Sequence, residues 1–128
     1  NMIILDSGEI TLIDYDGMFV PTLAGKEAFE EGSPNYQHLK RDSSKFDKRI
    51  DYFPMLVIAI SIKALANSPK LLKKYGTGEN ILFLKKDFEN LNNSKLMKDL
   101  RKINDADLQD LLSELEIAVD DFDHVPSF

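Results

Sequence analysis

The sequence predicts a mainly α-helical domain, entered through a short N-terminal β-hairpin and built around one buried central helix. Three observations predict it. Two short apolar runs, Met2 to Leu5 and Glu9 to Ile13, flank Asp6-Ser7-Gly8, which is the composition of a tight antiparallel turn. The stretch from Tyr52 to Ile60 is nine residues of unbroken apolar character behind Asp51, far too short for the roughly 20 residues of a membrane span. Near the C-terminus, Leu108, Leu111, Leu112, Leu115 and Ala118 recur at helical spacing on one stripe.

The hairpin delivers Asp14-Tyr15-Asp16-Gly17 directly after its second strand. A strand end holds a carboxylate with little positional uncertainty, and the glycine lets the backbone turn away from whatever that carboxylate binds. Folding back at Gly8 is expected to bring Asn1 beside Asp14, so that two oxygen ligands face one point, as a hard cation such as Mg2+ requires. Residues 17–46 are rich in Gly, Pro, Ser and charge and read as a long loop, with one helical turn expected near Lys26 to Glu31. This loop is either a surface connection or a segment that presents substrate.

Asp51 is the residue type of an N-cap, and Pro54 then falls in the first helical turn, where its missing N–H breaks no bond. Met55, Leu56, Val57, Ile58, Ile60, Ile62 and Leu65 make the following helix apolar on all sides, which predicts burial in the middle of the domain. Asn67-Ser68-Pro69 ends it and begins another from Lys70 to Tyr75, stopped at Gly76-Thr77-Gly78. That Gly-x-Gly lacks the third glycine, the strand and the lysine of a phosphate loop, so it reads as a plain turn. Residues 81–84 are short and apolar, extended or helical. Asn93-Ser94 caps a helix to about Ile103, with Lys95, Lys98, Arg101 and Lys102 as a solvated basic face. Asp105 begins the last helix, whose acidic side is spread too far along the axis to converge on a cation.

Composition narrows the function. The 128 residues fit one domain with 43% apolar residues: 1–16 the hairpin and metal-site segment, 17–46 the loop, 47–128 the helical part. Sixteen Lys and Arg against 22 Asp and Glu give a net charge of −6, which argues against a general grip on nucleic acid. Without cysteine there is neither a disulfide framework nor a thiolate metal site, which suits a cytoplasmic protein, and the first residues lack a secretory pattern. The abrupt start on a strand reads as a truncated product. A Ser33, His38, Asp42 arrangement can be drawn, but loop spacing supplies no nucleophile geometry.

Asn1, the hairpin and Asp14 together resemble the catalytic-loop Asn, short hairpin and DFG-type aspartate of the C-terminal lobe of the protein kinase fold, where both side chains hold Mg2+. Tyr15 stands at the Phe and Asp16 at the Gly of that motif. The phrases Leu12 to Pro21 and Gly32 to His38 look more closely like a bacterial group of uncharacterised kinase-like proteins, some of which carry helix-hairpin-helix DNA-binding segments; none is evident here. The resemblance implies that Gly32 to Tyr36 ends an activation segment, with Tyr36 and His38 fixing it. Leu39-Lys40 stands where that family carries Pro-Glu. It further implies that Asp51 opens the lobe's central helix and braces the catalytic loop.

On this resemblance Asn1 and Asp14 would bind Mg2+ and ATP in the intact parent, with Asp16 a further metal ligand. The catalytic aspartate would lie five positions before Asn1, so the fragment by itself is expected to be inactive and to hold no cofactor. Its expected partners are the missing N-terminal lobe, a protein substrate, and further copies of the truncated lobe meeting through uncovered apolar surface. The alternative is a pseudokinase, an interaction module that has kept the fold without catalysis. A third reading is an unrelated helical binding domain whose hairpin carboxylates only form turns.

Overall fold

The computed structural model describes residues 2–14 and 17–124. Its regular structure is mainly helical. Two strands, β1 (Met2–Ile4) and β2 (Ile10–Leu12), pair antiparallel with Met2 opposite Leu12, Ile3 opposite Thr11 and Ile4 opposite Ile10. Gly8 closes the turn at φ 84°, a left-handed conformation that favours glycine, and its N–H donates to Leu5 O at 2.8 Å. Five α-helices follow among the described residues: α1 (Tyr52–Asn67), α2 (Lys70–Tyr75), α3 (Lys85–Glu89), α4 (Lys95–Leu100) and α5 (Ala106–Asp120).

The principal packing is α1 on α5. Phe53, Leu56, Val57, Ile60 and Ala64 of α1 meet Leu108, Leu112, Leu115 and Ala118 of α5 in one buried cluster, with Leu96, Met97 and Leu100 of α4 and Leu71 of α2 completing it. Three rings lock its other end: Phe83 stacks on Phe88 at 5.5 Å, and Phe88 meets Phe53 edge-on at 5.3 Å. Ser61 is buried among these groups and donates to Val57 O at 2.7 Å, the usual outlet for a hydroxyl inside a helix.

The central helix is buried on one side only. Its spine is in the core, but Ile58 is half-buried and Met55 and Ile62 are 44% and 53% exposed, so all-round apolar composition overstates its enclosure among the described residues. Asp51 also departs from expectation. It is exposed, its backbone is already helical (φ −93°, ψ −7°), and its side chain makes no capping bond. The start of α1 is braced one turn earlier, where Asp47 Oδ1 accepts the Arg49 N–H at 2.8 Å and Tyr52 N–H reaches Arg49 O at 3.0 Å.

Elsewhere the local chemistry sets the boundaries. Asp105 Oδ1 accepts the Leu108 N–H at 2.9 Å and caps α5; Ser94 Oγ does the same for Met97 N–H at 3.2 Å in α4. The latter helix stops at Leu100, short of the expected Ile103, because residues 101–103 tighten into a turn with Lys102 N–H on Asp99 O and Ile103 N–H on Leu100 O. At Gly76 a Cβ would lie 2.8 Å from Leu72 O and 3.2 Å from Ile81 O, so only glycine lets the chain leave α2 there. Asn80, buried beside it, accepts from Thr77 N–H and Oγ1 and donates to Tyr75 O and Phe83 O, which makes the Gly-x-Gly a self-contained turn.

The loop between hairpin and helices is folded back on itself. Phe19 meets Phe46 edge-on at 5.4 Å, and Ala28 N–H donates to Ser43 O at 2.8 Å. Its one helical turn is a 3-10 turn at Pro21–Leu23, where proline presets the first φ; residues 26–31 are not helical.

Candidate functional site

Of the expected metal-site residues, Asn1 and Asp16 lie outside the described residues, so the geometry of the three-ligand set rests on Asp14 alone. Asp14 leaves β2 at the end of the hairpin where Met2 enters it. It is exposed and holds φ 61°, a left-handed conformation that Asp tolerates better than most residues. Among the described residues no group of three or more His, Asp or Glu side chains converges as a metal would require.

The phrase Asn35 to His38 is where the loop grips the helices. Asn35 Oδ1 accepts the Lys85 N–H at 3.1 Å, at the start of α3. Tyr36 Oη accepts the Ile81 N–H at 2.9 Å, and its ring packs against the core cluster. His38, only 3% exposed, has both nitrogens engaged: Nδ1 accepts the Lys40 N–H at 3.0 Å, which makes Nε2 the protonated nitrogen that donates to Val119 O at 3.1 Å. Phe53 and Phe122 face the ring edge-on at 5.2 and 4.9 Å.

Lys40 completes the grip, its Nζ donating to Asp120 O at 2.7 Å. The last turn of α5 therefore finds partners for two of its open carbonyls in a loop about 80 positions away, with a cation at the negative end of the helix dipole. Arg49 adds an ion pair to Asp123 at 2.9 Å while holding Asp47 at 2.8 Å. These pairs are surface contacts of small worth, and they locate the segment more than they stabilise it.

Electrostatics at this site favour a neutral imidazole. Burial lowers the His38 pKa, outweighing the opposite effect of its hydrogen bonds to α5 carbonyls, and nearby Lys40 and Lys45 lower it further. A neutral ring with both nitrogens spent on backbone groups cannot serve Ser33 as a base, so the arrangement of Ser33, His38 and Asp42 has no catalytic geometry. A cavity of about 20 Å3 beside His38 has room for one water and none for a substrate.

Two of the four cations on the basic face, Arg101 and Lys102, are held in ion pairs. Asp99 accepts from Lys74 Nζ, from Tyr75 Oη at 2.7 Å and from Lys102 Nζ at 2.9 Å, which together hold its carboxyl well below the usual range. Arg101 pairs with Glu116. Two contacts that hold this segment escaped sequence reasoning: Lys40 at the end of α5, and Asp47 ahead of α1. The only available signal for the second was the Asp-x-Arg spacing of a side-chain turn.

No family model matches the chain, and comparisons with curated proteins and with solved structures also give no match. No helix among the described residues is long and apolar enough to cross a membrane.

Proposed function

We propose that this chain is the larger part of a kinase-like C-lobe whose parent transfers a phosphoryl group from Mg2+-ATP to a hydroxyl of a protein or other acceptor. The observation that carries the reading is an ordered succession: a hairpin that delivers an exposed Asp14 in a left-handed turn, then a long loop pinned through Asn35, Tyr36 and His38, then a helical base whose spine is α1. In that reading Asn1 and Asp14 hold the Mg2+ that offsets charge developing on the transferred group, with Asp16 beside them. The N-terminal lobe of the same protein is its partner, in the cytoplasm.

A specific observation favours a second reading, a pseudokinase kept as an interaction module. Lys40, at the position of the family's Glu, spends its charge on the end of α5, so the segment is anchored here by contacts unlike those of the family pattern. Thermal stabilisation of the full-length protein by Mg2+-ATP separates the two. A ligand at 100 times its Kd adds about 2.7 kcal/mol to a phosphotransferase. No shift at saturating nucleotide refutes the enzyme and selects the scaffold. Asp14→Asn should abolish the shift while leaving the fold intact, because Asn adopts left-handed backbone as readily as Asp; unchanged nucleotide affinity refutes the metal role of Asp14.

A further inference from the structure

Phe29 is 95% exposed, the most exposed of the large apolar side chains described. The backbone on either side of it is held. The Ala28 N–H to Ser43 O bond holds the backbone immediately before it, and Glu30 lies over Gly17, where a Cβ would come within 2.9 Å of its carboxylate. Around it Glu27, Glu30 and Glu31 are exposed, with one cation, Lys26, among them. An exposed aromatic ring on a held backbone, with three glutamates against one lysine beside it, is the chemistry of an anchor for an apolar pocket with a basic rim.

The molecule carries such a pocket. Between the turn Leu91–Asn93, α4 and α5 lies an open groove of about 420 Å3, floored by Leu91 and Met97 and edged by Lys98, Arg101 and Lys102, with Glu116 at its far side already paired to Arg101. Its volume falls in the range of about 300–1,000 Å3 seen for ligand sites, ample for a phenyl ring and a flanking carboxylate. Lys98 has no ion-pair partner among the described residues, so it can meet an incoming Glu without breaking an existing contact.

We propose that copies of this chain associate head to tail, Phe29 of one seated in the α4–α5 groove of the next with Glu27, Glu30 or Glu31 on Lys98. The chain as a whole carries a net charge of −6 and repels its own copies, so the attraction is local to these two patches. One ring and a few charges bury less than the roughly 1,200 Å2 of a stable complex, so the contact is weak and concentration-dependent. With one such contact per pair, a ring and a groove stay open at either end, so the association extends into rings or open chains.

Sedimentation of the full chain from micromolar to millimolar concentration tests this. The average mass should rise with concentration, whereas Phe29→Ala and Lys98→Glu should each remain monomeric while melting cooperatively like the parent. Mixed in equal amounts, the two variants should form a dimer and stop there, since one keeps only the groove and the other only the ring. A monomeric parent throughout, association of Phe29→Ala equal to the parent, or a mixture that stays monomeric overturns the proposal.

Discussion

His38 offers the sharpest test of how the loop is held. Replacing it with alanine removes the Nε2–H bond to Val119 O, the acceptor for Lys40 N–H, and edge contacts to Phe53 and Phe122. With each hydrogen bond contributing about 1 kcal/mol net and each ring contact about 0.5–1.5 kcal/mol, the loss is about 3–5 kcal/mol, a large share of a small domain's stability. The pH dependence separates titration from packing. The folded-state pKa of His38 lies below its ordinary value, so as pH falls through about 6.5 the unfolded chain takes up a proton that the folded chain does not. Stability contributed by the neutral ring is thus complete above that pH, is lost progressively below it, and stops changing once pH is under the folded pKa. The lowered carboxyls of Asp47, Asp99 and Asp105 act further down, their contributions fading only as pH drops through about 4 and below. Urea unfolding midpoints between about pH 7 and 5 should therefore fall in the parent, and a His38→Gln variant, which keeps a donor and an acceptor but does not titrate, should be nearly flat there. An equal slope in both proteins refutes the argument.

Other perturbations probe the scaffold. Asp105→Ala removes the cap of α5 and its bond to Asn67 Nδ2, and should cost about 1–2 kcal/mol in urea unfolding; a loss under a few tenths would show that the cap is dispensable. Gly76→Ala sets a methyl 2.8 Å from Leu72 O, a backbone atom that cannot swing aside, and should cost about 1–3 kcal/mol, readable as a lowered thermal midpoint; an unchanged midpoint would mean α2 yields freely. Ile60→Asp and Ile62→Asp differ only in which face of α1 they occupy. The first buries a charge in the core and should abolish cooperative folding, while the second, on the exposed face, should fall within about 0.5–1 kcal/mol of the parent by circular dichroism; like behaviour of the two would contradict the one-sided burial of α1.

Much of the helical frame was legible because it follows from short-range chemistry. Asp105 before an apolar stripe, Ser94 before Lys95, and Gly76 after Tyr75 each act on backbone groups within one turn, so their consequences can be read from adjacent letters. Residues 85–89 were illegible for the opposite reason. That helix is a single turn and a half with one buried residue, Phe88, too short to show a period, and its start depends on Asp87 Oδ2 accepting the Leu84 N–H while Asp87 Oδ1 takes the Ser94 hydroxyl. The one-sided burial of α1 was hidden too, because apolar residues fill both faces and hydropathy carries no information about which face another element covers. Of the candidate site, the placement of Asp14 at the hairpin exit followed from the turn at Gly8. Its left-handed backbone did not, since Asp is compatible with several turn geometries.

The grip of the loop on α5 could not have been read from sequence at all, yet it gives a physical reason for a lysine at position 40. Once His38 is inserted between Phe53 and Phe122 with its Nε2–H on Val119 O, the chain two residues on must pass the C-terminal end of α5. That end presents unpaired carbonyls and the negative pole of the helix dipole, where a glutamate would meet repulsion and a lysine finds both an acceptor and a favourable field. Lys40 Nζ on Asp120 O is the outcome. The same end is held from outside by Arg49 through Asp123, so a histidine, a lysine and an arginine from three points of the sequence converge on residues 119–123. Lys40 is matched in charge to the helix end it meets. The loop's attachment therefore depends on where α5 stops, and lengthening or shortening that helix by one turn would dismantle it.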